Sequence, residues 1–126
     1  MKTLVIGHGK VYKKHEIRCS PIPIDDWFHD PFDSLDAYPE AEPDILFEIK
    51  TGVWTFSADE SYDRIIDCTG GILSLGISNR RSYPYILREV QRILKPDGFF
   101  YTDSRNITNY QKRNNKLQPI PKESYM

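Results

Sequence analysis

Short apolar runs separated by polar, proline-containing connections set the pattern of this chain. The first run, Thr3 to Ile6, is uninterrupted and rich in β-branched residues, which predicts a buried strand. The same reasoning predicts four further strands, the first of them weak, at residues 32–36, 44–49, 62–68 and 99–102. Residues 10–31 contain three prolines and no sustained helical period, so we expect a long irregular excursion there.

The most regular segment predicts an amphipathic helix over residues 83–95. Ser82 is the expected N-cap, Pro84 suits the first turn, and Pro96-Asp97-Gly98 is expected to end the helix. One helical face carries an apolar stripe formed by Ile86, Leu87, Val90, Ile93 and Leu94. The order of strands and helix predicts an α/β layer built on a mainly parallel sheet.

Length and charge limit the architecture. With 126 residues, of which 39% are hydrophobic, the chain has room for one domain with a modest core. We place this domain at residues 1–106 and expect residues 107–126 to be a basic, polar C-terminal tail, loose or docked. The net charge of −1 gives no general attraction to nucleic acid or membranes, so a nucleic-acid contact is expected only through that tail.

The number of cysteines and the length of the apolar runs indicate the cellular compartment in which we expect the protein. Cys19 and Cys68 are far apart and do not make a disulfide framework. No apolar run approaches the length needed to span a bilayer, and the N-terminal run is too short for a signal peptide. We therefore expect a soluble, cytoplasmic protein.

Four short motifs then occur in a fixed order. They are Gly7-His8-Gly9, Asp36 followed by Pro43-Asp44-Ile45, the run from Tyr62 to Asp67, and Leu94-Lys95-Pro96-Asp97-Gly98. Together they resemble the class I, Rossmann-like methyltransferases that use S-adenosylmethionine, over roughly residues 3–105. The resemblance implies a minimal Rossmann-like methyltransferase fold, with a mainly parallel sheet of about five strands and reduced helical layers. The shortened form is similar to methyltransferase-like proteins of large DNA viruses, which would imply the host cytoplasm or the virion as the location.

The resemblance also implies a cofactor site at the carboxyl ends of the strands. In this family an acid after the second strand accepts the ribose hydroxyls, and a group after the third lies near the adenine amine. Trp54 or Phe56 could line the adenine, although such aromatic residues most often belong to the core. Asp67 is the one weak catalytic candidate. The positions matching the cofactor site are Gly7, Gly9, Asp36, Glu48, Asp67 and Gly70.

Other chemistries fit the sequence less well. His15, Glu16 and Cys19, with His8 or His29, match no zinc spacing, so no metal is expected. Cys68 could act as a nucleophile with His8, although a buried, inert thiol is the simpler interpretation.

The function implied by the resemblance is methyl transfer from S-adenosylmethionine to an unidentified acceptor. The alternative is a catalytically silent methyltransferase-fold subunit with a structural or assembly role. A third interpretation, an RNA-contacting subunit, rests on the basic tail alone. The chain lacks the length for a substrate lid of its own, so we expect it to act as a homo-oligomer or with a partner protein.

Overall fold

The structure is a computed structural model that describes residues 2–7, 32–50, 52–67, 84–101 and 109–120. Within these ranges a short 3₁₀ helix lies at Pro39–Ala41 and an α-helix, α1, at Pro84–Ile93. The described strands are β1 Thr3–Ile6, β2 Phe32–Asp36, β3 Ile45–Leu46, β4 Tyr62–Asp67, β5 Leu94–Tyr101, β6 Asn109–Arg113 and β7 Lys116–Ile120.

One sheet contains all seven strands in the order β3-β2-β1-β4-β5-β6-β7. Strands β1 to β5 pair in parallel, and β6 and β7 extend the sheet as an antiparallel hairpin. Ile6 is in register with Leu35 on one side and with Asp67 on the other. The carboxyl ends of β1, β2 and β4 therefore lie level at one edge of the sheet.

Helix α1 packs against one face of this sheet. Ile86, Val90 and Ile93 from the predicted stripe are buried there, whereas Arg88 lies on the side of the helix that faces solvent. The alternation of side chains along the strands separates this core from a second cluster on the opposite face, made of Val5, Phe32, Ile66 and Tyr101. The larger cluster beneath α1 includes Leu4, Ile6, Leu35, Trp54, Ile65 and Phe100.

Several sequence predictions are confirmed. The strands at 3–6 and 32–36 are found at those bounds, and the strand predicted at 62–68 is found at Tyr62–Asp67. The predicted helix is confirmed at Pro84–Ile93. The strand predicted at 44–49 is reduced to Ile45–Leu46, because the chain leaves the sheet after two ladder positions.

The predicted fold class is wrong. The sequence predicts a minimal Rossmann-like methyltransferase fold, with a mainly parallel sheet of about five strands and reduced helical layers. The structure instead has a strand-rich, seven-stranded sheet with one α-helix among the described residues. The two additional strands come from residues 109–120, which the sequence pattern assigned to a polar tail. The architecture is thus dominated by the sheet.

The β6–β7 hairpin depends on turn conformation and backbone pairing, which the pattern of hydrophobic residues does not reveal. Asn114 and Asn115 have φ values of 54° and 61°, the left-handed conformation that a tight two-residue hairpin requires. Main-chain pairing of β6 with β5 and β7 then satisfies the backbone of a largely polar segment. Tyr110 adds an apolar contact by stacking on Phe100, with 6.0 Å between ring centroids.

The turn expected at Pro96-Asp97-Gly98 lies inside β5. Leu94 pairs with Tyr62 and Phe99 pairs with Arg64, so Lys95–Gly98 bulge out where β4 advances by only two residues. Asp97 has a φ of 66° in this bulge. A Cβ on Gly98 would lie 2.9 Å from the carbonyl oxygens of Asp63 and Lys95, which explains why a glycine is needed there.

Candidate functional site

A cavity of about 280 Å³ opens at the edge where β1 and β2 end. Its lining combines carboxylates with apolar side chains, and Tyr38, 70% exposed, stands at its rim. Open sheets with parallel strands bind ligands at this carboxyl edge. The residues that line the cavity are Ile6, Gly7, Leu35, Asp36, Ala37, Tyr38, Phe47, Glu48, Ile49 and Lys50.

Gly7 lines the cavity at the point where β1 ends. Its φ of 77° lies in the left-handed region that favours glycine. Its amide donates to the carbonyl oxygen of Leu35 at 2.8 Å, which ties the end of β1 to the end of β2. The backbone at this point carries no side chain that would fill the cavity.

Asp36, the last residue of β2, is half-buried in the cavity wall. Its Oδ1 accepts the amide of Tyr38 at 3.1 Å, which fixes the direction of the carboxylate. Its own carbonyl oxygen accepts the amide of Phe47 at 3.0 Å, so the segment after β3 is held against the end of β2. The carboxylate keeps acceptor capacity beyond its single amide contact.

The Pro43-Asp44-Ile45 motif has a structural role beside Asp36. The Oδ2 of Asp44 accepts the amide of Ser34 at 2.9 Å and its hydroxyl at 3.1 Å, and the Asp44 amide donates to the Ser34 hydroxyl at 3.0 Å. This clamp fastens the start of β3 to the middle of β2. It returns the chain to the cavity, where Phe47 and Glu48 follow.

The wall at 47–50 is anchored to the core by aromatic residues. The indole nitrogen of Trp54 donates to the carbonyl oxygen of Ile49 at 3.0 Å. Phe56 stacks on Trp54, with 5.8 Å between ring centroids, and meets Phe47 edge to face at 5.1 Å. Glu48 is half-buried in this wall and its Oε1 accepts the amide of Lys50 at 3.1 Å.

Three of the residues predicted to bind cofactor meet at this cavity: Gly7, Asp36 and Glu48. Asp67 lies one strand further along the same edge, is fully buried, and is not part of the cavity lining. Gly9 and Gly70 lie outside the described residues. The same holds for the residues considered for a metal or a nucleophile, namely His8, His15, Glu16, Cys19, His29 and Cys68.

Other lining residues were missed by sequence reasoning. Phe47 forms the aromatic wall, whereas Trp54 is fully buried in the core and Phe56 packs against it without lining the cavity. Tyr38 and Lys50 stand at the rim because each follows a carboxylate by two residues in a turn closed by that carboxylate. That Asp-x-Tyr and Glu-x-Lys spacing is the signal that could have found them.

Comparison with known proteins does not assign the chain to a family: no protein-family model matches it, and neither does any curated protein sequence. Among the described residues no helix has the length and apolar character needed to cross a bilayer. The geometry of the cavity is therefore the basis for a functional proposal.

Proposed function

We propose that the cavity binds the adenosine part of S-adenosylmethionine and that the protein transfers a methyl group to an acceptor. One observation carries this proposal: Gly7, Asp36 and Glu48, three of the positions that the resemblance implies for the cofactor site, line a single cavity at the carboxyl edge of parallel strands.

The residues present suit a nucleoside. Asp36 contributes a carboxylate to a cavity lining whose other side chains are mostly apolar. A carboxylate can accept hydrogen bonds from two vicinal ribose hydroxyls at once. Phe47 and Leu35 offer apolar surface to a base, and Glu48 offers an acceptor to its exocyclic amine. A volume of about 280 Å³ is close to the lower end of small-molecule sites, roughly 300 Å³.

The chain's own task is to hold and orient. The cofactor, when bound, supplies an activated methyl group on a sulfonium, so a dedicated general base on the protein is optional. Asp36 is held by the Tyr38 amide, and the 47–50 wall is held by Trp54. Both contacts fix the site before a ligand arrives, which reduces the cost of ordering it on binding.

Calorimetry with S-adenosylmethionine on wild type and on Asp36→Asn tests the proposal. Asparagine keeps an oxygen for the Tyr38 amide but removes the charge, so we expect binding to weaken by roughly 1.5–3 kcal/mol. Glu40→Gln, which alters an exposed carboxylate outside the cavity lining, should bind as wild type does. Equal affinities of wild type and Asp36→Asn would exclude Asp36 from the site.

One observation favours the alternative of a catalytically silent subunit with a structural or assembly role. Asp67, the weak catalytic candidate for methyl transfer, is fully buried and does not line the cavity. Incubation with S-adenosylmethionine tritiated on the methyl group, together with fractionated protein, RNA and small-molecule pools, separates the two. Calorimetric binding without label transfer to any pool would support the silent module.

A further inference from the structure

The amino edge of the sheet carries a second cleft of about 290 Å³, opposite the edge where Asp36 lies. Its position follows from the strand directions, because the polar turn before β4 and the tip of the β6–β7 hairpin both lie at that edge. Helix α1 forms the third wall. The cleft is lined by Asp59, Glu60, Arg88, Gln91, Arg92, Lys112 and Asn115.

The walls of this cleft are fixed by hydrogen bonds. The Arg92 guanidinium donates to Asp59 Oδ1 at 2.8 Å, to the carbonyl oxygens of Ser57 and Trp54 at 3.0 and 2.8 Å, and to Glu89 at 3.1 Å. The amide of Glu60 donates to the carbonyl oxygen of Arg92 at 2.8 Å. These hydrogen bonds join the turn before β4 to helix α1.

Lys112 is the unusual group in the cleft. It is 4% exposed, and its ammonium donates to the carbonyl oxygen of Leu94 at 2.7 Å. Among the described residues no carboxylate forms an ion pair with it. A buried ammonium has three donors and is costly to leave without a counter-charge, so this site has the capacity to hold an anion.

Arg88 adds a second cation to the same cleft. Its guanidinium lies over the Tyr85 ring, 4.7 Å from the centroid, and it too forms no ion pair with a carboxylate in the described part of the chain. Of the two acids, Asp59 is neutralised by Arg92, and the exposed Glu60 is left as the one repulsive charge. In the described part of the chain, two cations of this cleft lack a carboxylate partner and one acid lacks a cationic partner, which favours a small, compact anion.

We propose that this cleft binds the phosphate group of a small phosphorylated ligand, with Lys112 and Arg88 as its cationic contacts. Phosphate provides several acceptor oxygens for the ammonium and for the planar fork of the guanidinium. The cleft volume and the acid in its lining argue against an extended polyanion such as a nucleic acid. Glu60 would repel the phosphates that flank the one bound in the cleft. The site shares no lining residue with the Asp36 cavity, so this proposal does not rest on the proposed cofactor.

Titration with inorganic phosphate, followed by the amide and side-chain NMR resonances of Arg88, Gln91 and Asn115, tests this proposal at constant ionic strength against chloride. We expect saturable shifts with phosphate and none with chloride. Arg88→Gln should weaken phosphate binding about fivefold and Lys112→Met about tenfold, as expected for removing charged contacts. Glu60→Gln should tighten binding, because it removes the repulsive acid.

Arg113→Gln is the matched control, because it removes an exposed charge from the same hairpin outside the cleft and should leave phosphate affinity within about twofold of wild type. If Lys112→Met fails to fold, the exposed Arg88→Gln and Glu60→Gln still decide the question. Equal phosphate affinity in Arg88→Gln, Arg113→Gln and wild type would overturn the proposal. So would a single-stranded RNA oligonucleotide that binds with Arg113 and Lys116 as its determinants while inorganic phosphate does not bind.

Discussion

Gln91 of helix α1 accepts the main-chain amide of Leu117 on the edge strand β7 through its Oε1 at 2.9 Å. That amide points away from β6, since its acceptor is a side chain of α1 and not a carbonyl oxygen of β6. Pro119, two residues further on, faces the same way and has no amide hydrogen. The outer edge of β7 therefore presents neither of these donors to an incoming strand, which is a way of preventing edge-to-edge pairing.

Removing this contact should expose the edge. We expect Gln91→Ala to lower the free energy of unfolding by about 1 kcal/mol, because the half-buried Leu117 amide loses its partner. We also expect concentration-dependent self-association of the variant in light scattering. Gln118→Ala removes an exposed contact to the Arg113 carbonyl oxygen and should change neither quantity, so equal behaviour of the two variants would refute the edge-protection role.

Glu89 joins the loop that contains Trp54 to helix α1. It is 1% exposed, and its Oε1 accepts the Trp54 amide at 2.6 Å while its Oε2 accepts from Arg92 at 3.1 Å. We expect Glu89→Ala to destabilise the fold by about 3–5 kcal/mol, because it leaves a donor and a cation without their buried partner. Denaturant unfolding measures this loss.

Asp59→Asn supplies the comparison for Glu89, because it weakens the other carboxylate contact of the same arginine. The Asp59 side chain is 75% exposed, so its ion pair is screened by solvent and its loss should cost less than about 1 kcal/mol. If Glu89→Ala and Asp59→Asn are destabilised equally, the burial of Glu89 does not determine how much its contacts with Trp54 and Arg92 stabilise the fold.

The sequence predicts those parts of the fold whose signal is local. The run from Thr3 to Ile6 and most of the stripe on α1 are buried as the pattern indicates, because periodic apolar residues have few alternatives to a core. The β6–β7 hairpin escapes such reasoning because its pairing is made by the backbone. Lys112 shows the same limit: a lysine in a basic segment predicts exposure, whereas the fold buries it beside Leu94.

The candidate cavity is predictable to the extent that motifs mark strand ends. Asp36 and Glu48 follow from the motif order, and the register places Leu35 beside Ile6, next to the Gly7 turn. Phe47 could not be distinguished from Trp54 or Phe56 as a wall residue, because this depends on β3 leaving the sheet after Leu46. After that departure the wall is held by the Trp54 indole at the carbonyl oxygen of Ile49, a contact that the apolar pattern does not reveal.

The bulge at Lys95–Gly98 gives a steric prediction. A Cβ on Gly98 meets two backbone oxygens at 2.9 Å, and backbone atoms cannot move aside as the end of a flexible side chain can. We expect Gly98→Ala to lower the free energy of unfolding by about 1–3 kcal/mol. Asp97→Gly in the same bulge suits the φ of 66° and should change stability by less than about 0.5 kcal/mol. Thermal unfolding of both variants checks the difference.

Asp63 gives a prediction for acid pH. The Lys2 amide donates to Asp63 Oδ2 at 2.7 Å and lowers the pKa of that carboxyl below its ordinary value of 3.8, and the Lys95 ammonium at 3.5 Å acts in the same direction. A carboxyl with a depressed pKa in the folded state contributes stability that is complete above its unfolded pKa. That contribution is lost as the pH falls below about 4, through the lower folded value.

Asp63→Asn should therefore flatten the loss of stability between pH 5 and pH 2 relative to wild type, because the variant has no carboxyl to protonate at this position. Asparagine retains an acceptor for the Lys2 amide, so the folded structure is preserved. Urea unfolding at a series of pH values measures the slope, with Glu40→Gln as a control for the loss of one exposed carboxylate. A wild-type slope in Asp63→Asn, with a reduced slope in Glu40→Gln, would show that the contact between the Lys2 amide and Asp63 does not control acid stability.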